Sequence, residues 1–480
     1  MKLYYNVNDK PNFGKVLVFA LQQLLAIMAA TIAVPSIIGH GMSQAAALFG
    51  AGVGTIVYLL FTKFKSPVFL GSSFAFLGSM GAAFSGAASM GLTESVGFVG
   101  LIVGALCAGL VYVVISLVVK FVGTKWISKI MPAVVIGPTV AIIGLSLSGN
   151  AIGDLVSSSV NYENIIATMA LTEEEALAQL TQALSISKWI ALFCGLVTLG
   201  VTIVCSVYGK KTFKMIPFIV GIVAGYALAA IFTLIGKETG ILGLQIIDFS
   251  KFDKIEWIPN FTFVRAIEGC KELTVGSFFV YLGTIAVAYV PVAFVVFAEH
   301  IADHKNLSSI IEKDLLTDPG LNRTLLGDGV GSIAGAVFGG CPNTTYGESV
   351  GCVAISGNAS IVTILTTAIM AIVISFFGPF STFLATIPKC VMGGVCIALY
   401  GFIAVSGLKM IQGVDLNDNR NLFVVSVILI AGVGGLVLTI GKITITAVAC
   451  ALILGILTNL VCGIGRNNEV KKDNESQEEK

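Results

Sequence analysis

The sequence predicts an all-α membrane protein of 14 transmembrane helices in two inverted 7-helix repeats, with helices 3 and 10 broken by short extended segments. Three observations carry that prediction. Apolar residues make up 56% of the 480-residue chain and charged residues only 11%, against roughly 25% charged in a soluble domain. The charges cluster between uncharged runs, and about 20 apolar residues suffice to cross a bilayer as a helix. Finally, the two halves share a weak pattern, including an interrupted third span in each. Lipid offers no water to backbone polar groups, which favours helices; the short alternating segments of a barrel are absent from the sequence.

In chain order, the first seven spans are predicted at 16–38, 44–62, 67–88, 95–119, 131–149, 187–207 and 215–235. The second seven fall at 275–301, 324–340, 343–357, 360–379, 386–406, 421–440 and 442–463. The first run is too long, and lacks a cleavage site, for a removed leader, so it is expected to stay in the membrane. The third and tenth spans are short, rich in Gly and Ser or Thr, and preceded by Pro67 and Pro342.

Basic residues set the expected sidedness. Of the 28, all but eight (Lys188, Lys237, Lys251, Lys254, Arg265, Lys271, Lys389 and Lys442) lie at the termini or in even-numbered loops. Both termini are therefore expected in the cytoplasm, with the 150–186 and 236–274 loops outside. Residues 1–236 form the first repeat, 237–274 the extracellular connection, 275–463 the second repeat and 464–480 a charged cytoplasmic tail, expected to be disordered. The ten cysteines lie mostly inside apolar runs without a C-x-x-C pair and read as small core residues.

An odd number of spans per half inverts the second repeat. Pro132-Ala133-Val134-Val135-Ile136-Gly137 opens span five and Pro388-Lys389-Cys390-Val391-Met392-Gly393 opens span twelve. Inverted repeats with discontinuous helices at matching places point to a transporter with a midplane site. Small residues also serve simple helix packing, which accounts for most of the 54 glycines, but not for two matching interruptions.

Ionisable residues at membrane depth are costly and so mark function. Span eight ends Ala298-Glu299-His300-Ile301-Ala302-Asp303-His304. Glu299 and Asp303 share one helix face, His300 and His304 another, and His304 falls near the membrane surface. The second candidate is Pro342-Asn343-Thr344-Thr345-Tyr346-Gly347-Glu348, a poor helix former, with a half-helix expected to begin near Glu348. Its counterpart is Pro67-Val68-Phe69-Leu70-Gly71-Ser72-Ser73-Phe74-Ala75-Phe76, and the two extended pieces can pair to satisfy their backbones. Carboxylates accept hydrogen bonds and free backbone N–H groups donate them, while Phe74 and Tyr346 offer flat faces. That set suits a small planar molecule with N–H and C=O groups. Two close carboxylates in low dielectric resist carrying both charges, which gives a basis for proton coupling.

Other chemistries fit less well. His300-x-x-x-His304 has the spacing of a zinc pair, but the glutamate precedes the first histidine instead of following it as in H-E-x-x-H. A membrane metalloenzyme is thus a remote alternative, and no metal site is expected. No G-x-x-x-x-G-K-[ST] sequence occurs, so ATP-driven pumping by this chain is unsupported.

Taken together, Gly71-Ser72-Ser73-Phe74-Ala75-Phe76, Ala298-Glu299-His300, Lys313-Asp314-Leu315-Leu316-x-Asp318-Pro319-Gly320-Leu321, Pro342 to Glu348, and Pro388-x-x-Val391-Met392-Gly393-Gly394-Val395 are specific. With these pieces the chain resembles the nucleobase–ascorbate transporter family, in particular its bacterial uracil permease branch, over almost its whole length. The resemblance implies short antiparallel strands in helices 3 and 10, a core domain of spans 1–4 and 8–11, and a gate domain of spans 5–7 and 12–14. It further implies proton-coupled uracil import across a bacterial inner membrane by a homodimer, with no cofactor beyond the coupling proton. By motif position Glu299 and Glu348 would hold the base through carboxylates, Phe74 and Gly347 through backbone groups, and Tyr346 and Tyr400 would line the pocket.

The chain departs from the family pattern in places. Asp303 stands where some uracil permeases have histidine, so Glu299, Asp303, His304 and Glu348 are all candidates for proton coupling. Gln22-Gln23 replaces a frequent Gln-His, and Ser349 follows Glu348 where Asn is usual. Relatives taking xanthine or urate typically have Gln in place of Glu348, which favours uracil over xanthine or another purine. An anion transporter on a related fold, which would exploit half-helix N-termini, and a channel remain rival readings. The expected partners are a nucleobase, membrane lipid and a second copy of the chain, with no nucleic acid.

Overall fold

The computed structural model describes residues 3–478, except 124–125, 127–131, 168–171, 211–212, 215, 254 and 441–442. Seven basic residues used above to assign sides, Lys2, Lys125, Lys129, Lys211, Lys254, Lys442 and Lys480, lie outside the described residues.

The first half of the chain runs α1 (Phe13–Ile38), α2 (Gln44–Phe61), β1 (Leu70–Ser72), α3 (Leu77–Ser89), α4 (Glu94–Val122), α5 (Ala133–Ser146), α6 (Ser148–Leu155), α7 (Tyr162–Ala167), α8 (Glu173–Tyr208) and α9 (Pro217–Thr239). A short α10 (Thr262–Cys270) precedes the second half. That half comprises α11 (Val275–Ile311), α12 (Leu321–Gly339), β2 (Asn343–Thr345), α13 (Gly347–Ser356), α14 (Ile361–Ser375), α15 (Gly378–Thr386), α16 (Lys389–Met410), α17 (Asn419–Val433), β3 (Leu438–Ile440), β4 (Ile443–Ile445) and α18 (Ala447–Glu478).

Among the described residues, eight helices are long and apolar enough to cross a membrane, or nine if α14 and α15, bent by 84°, count as one span. Three shorter apolar helices, Phe74–Ser89, Asn419–Val433 and Ala447–Gly463, accompany them. The protein is therefore a multi-pass membrane protein.

Helix starts explain where the structure departs from the predicted boundaries. The 150–186 stretch, read as a loop, contains α6, α7 and the first turns of α8. Thr172 and Glu175 form a capping box there, and three glutamates sit in the first turn, where the helix dipole favours them. Helix α11 begins at a Thr274–Ser277 box and runs ten residues past the predicted span end, to Ile311. That extension draws His304 into the protein interior instead of leaving it at the surface. The predicted thirteenth span stops early: after Val433 the β-branched runs Leu438–Ile440 and Ile443–Ile445 pair as an antiparallel hairpin, in keeping with their strand preference. The charged tail, expected to be disordered, continues α18 as helix to Glu478; it has many lysines and glutamates and no proline, all compatible with helix.

Helices α1–α4 pack mainly against one another and against α10–α14, while α5, α6, α8, α9 and α16–α18 pack among themselves. Contacts between the two groups are few and come largely from α1 and α11. Small residues permit the closest approaches: at Gly54 and Gly331, where α2 crosses α12, an added Cβ would strike the facing backbone.

Candidate functional site

Two chain segments cross inside the first packing group, and there the helical pattern gives way. β1 pairs antiparallel with β2, with Leu70 opposite Thr345, Gly71 opposite Thr344 and Ser72 opposite Asn343. Burial demands that every backbone polar group find a partner, and neighbours supply what so short a ladder lacks. The Ser73 N–H donates to the Pro342 carbonyl at 2.9 Å. The Leu70 N–H donates to Thr55 Oγ1 at 2.9 Å, and the Phe69 N–H to Ser349 Oγ at 3.1 Å. Asn343 Nδ2 donates to the Gly50 carbonyl at 3.1 Å, in a space kept open by Gly54 and Gly335, where a Cβ would meet the Asn343 amide.

Helix α13 starts immediately after β2, with Tyr346 as its N-cap and Glu348 in its first turn. Glu348, Glu299 and Asp303 together line a cavity of about 320 Å³. Gly347, Gly351, Cys352 and Ile355 extend that wall along α13, and Ala26 adds α1. The opposite wall comes from the other packing group: Val140 of α5, Ser206 of α8, Pro217 and Phe218 of α9, and Phe402, Ile403, Ser406 and Met410 of α16, with Lys214 also lining the space. The cavity thus lies between the two groups, with its acidic side entirely on one of them.

Asp303 is fixed within this wall, since the Thr345 hydroxyl donates to its Oδ2 at 2.8 Å. Strand β2 therefore holds one carboxylate and, through α13, aims another. The N-terminus of α13 adds backbone N–H groups that have no intrahelical carbonyl partner and the positive end of a helix dipole. Carboxylate acceptors beside backbone donors can bind a small flat molecule through both kinds of group.

Tyr346, read as a pocket residue, does not line this cavity. Its ring lies over Gly71, where a Cβ would overlap it, and its hydroxyl donates to the Ser72 carbonyl at 2.8 Å. It braces the strand pair. Phe74 and Tyr400 meet edge to face, ring centroids 5.7 Å apart, joining the two packing groups. Phe74 lines a separate cavity of about 310 Å³ with Ile143, Leu147 and Thr446.

The histidines point the other way. His304 Nδ1 donates to the His300 carbonyl at 2.8 Å, and its Nε2 is 2.7 Å from the Tyr58 hydroxyl, which also lies 2.7 Å from Ser66 Oγ. His300 Nδ1 is 2.7 Å from Asp328 Oδ2, and its Nε2 is 3.0 Å from Thr324 Oγ1. All four ring nitrogens are thereby engaged by protein groups, and among the described residues no cluster of three or more His, Cys, Asp or Glu could hold a metal. All ten cysteines are free.

Sequence reasoning overlooked Asp328, although an acid inside the predicted ninth span was a usable signal. It also named Gln23 and Ser349 only as separate departures from a pattern. They touch: Gln23 Nε2 donates to Ser349 Oγ at 2.6 Å, tying α1 to α13 next to Glu348. No sequence feature announced that contact between residues more than 300 positions apart.

Comparison with known proteins gives three concordant results. Residues 14–441 match the Xan_ur_permease model, described as a permease family. The chain is 36% identical over 462 residues to a uracil permease of Bacillus caldolyticus, covering 95% of this chain and 94% of that one. It is 35% identical over 466 residues to that of Bacillus subtilis strain 168, covering 96% and 95%, and 32% identical over 458 residues to that of Escherichia coli K12, covering 95% and 93%. Among solved structures, the transmembrane domain of the cyanobacterial bicarbonate transporter BicA superposes with a TM-score of 0.59 at 16% identity, covering 96% of this chain and 99% of that one. Murine Slc26a9, an anion transporter in the inward-facing state, gives 0.60 at 13% identity, covering 96% and 69%; at such identities the likeness is one of fold.

Proposed function

The chain belongs to this permease family, and from that premise we propose that it imports uracil, or a closely related nucleobase, by proton symport with alternating access. It is a transporter and not an enzyme. One observation carries the substrate class: Glu299, Asp303 and Glu348 converge with the N-terminus of α13 on one cavity between two packing groups. A planar base with ring N–H and C=O groups matches acidic acceptors and backbone donors. Its curated relatives are named uracil permeases, which favours uracil among the bases.

In this reading Glu348, at the start of α13, is the fixed recognition group. Glu299 and Asp303, one helical turn apart, share the coupling proton. Movement of α1–α4 and α11–α14 as a core domain against α5–α9 and α16–α18 as a gate exposes the cavity alternately to each side. Fourteen spans in two inverted repeats, cytoplasmic termini, a bacterial inner membrane and a homodimer complete the proposal.

Uptake of radiolabelled uracil in transport-deficient cells, with and without a protonophore, tests it. Saturable uptake that collapses with the proton gradient is the expected result. Uptake indifferent to the gradient overturns the coupling, and preferential competition by xanthine overturns the choice of base. The anion transporters on this fold suggest one rival reading, but three carboxylates on the cavity wall repel an anionic substrate. Competition by bicarbonate or sulfate in the same assay would favour that rival.

A further inference from the structure

We propose that the N-terminal segment 3–11 is a strap that positions half-helix α13, and with it Glu348, for substrate. The segment precedes every predicted span, yet it is held like an added strand. The Tyr4 and Tyr5 N–H groups donate to the Gly357 carbonyl at 2.7 and 3.2 Å, and Tyr5 forms a parallel bridge with Asn358. In return, the Ala359 N–H donates to the Tyr5 carbonyl at 2.9 Å and the Ile361 N–H to the Val7 carbonyl at 3.0 Å. The Ser360 hydroxyl donates to the Asp9 carbonyl at 2.6 Å.

Those bonds all fall on the link between α13 and α14, at the end of α13 opposite Glu348. Gly357 ends α13 in the left-handed region, at φ +69°, and a Cβ there would meet the Tyr4 ring. Val7 is 4% exposed and belongs to an apolar cluster with Val350 and Val353 of α13, Leu307 and Ile311 of α11, and Val68 before β1. Val350 is two residues from Glu348. The strap therefore engages α13 in two ways, through backbone bonds at its C-cap Gly357 and the residues just after it, and through the apolar cluster that Val7 shares with Val350 and Val353.

Such a grip matters because α13 has only ten residues. A helix that short is marginal alone and takes its position from packing. At 1.5 Å rise per residue it is about 15 Å long, so a tilt of about 10° about its Gly357 end displaces Glu348 by about 2–3 Å. Binding constellations tolerate about 0.5 Å. The strap acts through Glu348 and touches no substrate, so it is a positioning element.

The inference rests on the proposed substrate role of Glu348, and the experiment separates the two. Full-length protein, a chain lacking residues 1–9, Val7→Asp and Val7→Ile are compared in proteoliposomes for uracil KM and Vmax, with amide exchange followed across residues 347–356. Truncation and Val7→Asp are expected to raise KM about fivefold or more with Vmax within about twofold, and to speed exchange in α13. Val7→Ile, or a peptide of residues 1–12 added to the truncated protein, is expected to restore both. Wild-type exchange and KM in the truncated and Val7→Asp proteins overturn the proposal. So does a loss of Vmax that simply tracks the amount of inserted protein, at unchanged KM and exchange. If the intact protein shows no saturable uracil uptake, the substrate reading fails, while the exchange result still decides whether the strap orders α13.

Discussion

The two faces of α11 have opposite chemistry within a single turn. Glu299 and Asp303 line the cavity between the packing groups. His300 and His304, each one residue further on, are fully buried against α2 and α12 and bonded to Asp328, Thr324 and Tyr58. At 3.6 residues per turn, adjacent residues diverge by about 100°, so one helix faces a cavity on one side and a fixed polar network on the other. The comparison teaches that membrane-depth polarity has two separable uses. Acceptors left facing a cavity are available to substrate and protons, while groups saturated by neighbours hold helices in register.

The largest effect should come from the cavity face. In the proposed reading Glu348→Ala or Glu299→Ala removes an acceptor for a charge-assisted bond to the base, worth about 1.5–3 kcal/mol. Uracil uptake efficiency should fall about 10- to 150-fold, with the amount of inserted protein unchanged. Near-normal uptake by either variant, measured with labelled uracil, breaks the assignment of that face to substrate.

The network face should respond in stability first. His300→Ala strands Asp328, whose other carboxylate oxygen already lacks a hydrogen-bond partner among the described residues. Leaving a buried polar group unpaired costs about 1–3 kcal/mol. Thermal unfolding in detergent should shift down, and membrane yield should drop, while the KM of the surviving protein stays near wild type. A raised KM at unchanged thermal stability would show that the two faces are not separable.

Asp303 tests the boundary between the faces, because it lines the cavity yet also accepts from Thr345. Asp303→Asn keeps an acceptor for that hydroxyl but cannot exchange a proton. Uracil exchange between preloaded vesicles should persist within about threefold, whereas gradient-driven accumulation should fall about fivefold or more. Full accumulation in this variant assigns the proton to Glu299 or Glu348 instead.

Much of this was legible in the sequence for identifiable reasons. Long apolar runs revealed the membrane class, and Pro342, Thr344, Thr345 and Gly347 announced the break before Glu348, because those residues disfavour helix locally. Glu299 and Asp303 were recognisable as a pair from their spacing alone. What stayed hidden depended on distant packing. Tyr346 was read as a pocket residue from its flat ring and its position in the family motif; only the pairing of β1 with β2 shows that Gly71 leaves room for its ring. His304 was placed near the surface because the apolar run ends at Ile301, but the helix runs on to Ile311 and Tyr58 of α2 engages the buried His304 ring, which no local pattern reports. The same holds for the strap, whose partner lies more than 350 residues away.

The smallest expected effect is the sharpest test of the buried face. The His300 carbonyl can only accept, so His304 Nδ1 carries a proton, and in the neutral ring Nε2 then accepts from the Tyr58 hydroxyl. Tyr58→Phe deletes that donor while preserving the ring, which packs at the α2–α12 crossing beside Gly327. The hydroxyl's contacts to His304 Nε2 and Ser66 Oγ are both lost, but Ser66 Oγ lies 3.4 Å from Nε2 and can donate to it instead. The net cost is about 1 kcal/mol, a modest downward shift in thermal unfolding, and both KM and the dependence of uptake on external pH should stay at wild-type values. If Tyr58→Phe instead moved the pH profile of transport, the histidine chain would be part of the proton route, and the division of α11 into a working face and a structural face would fall.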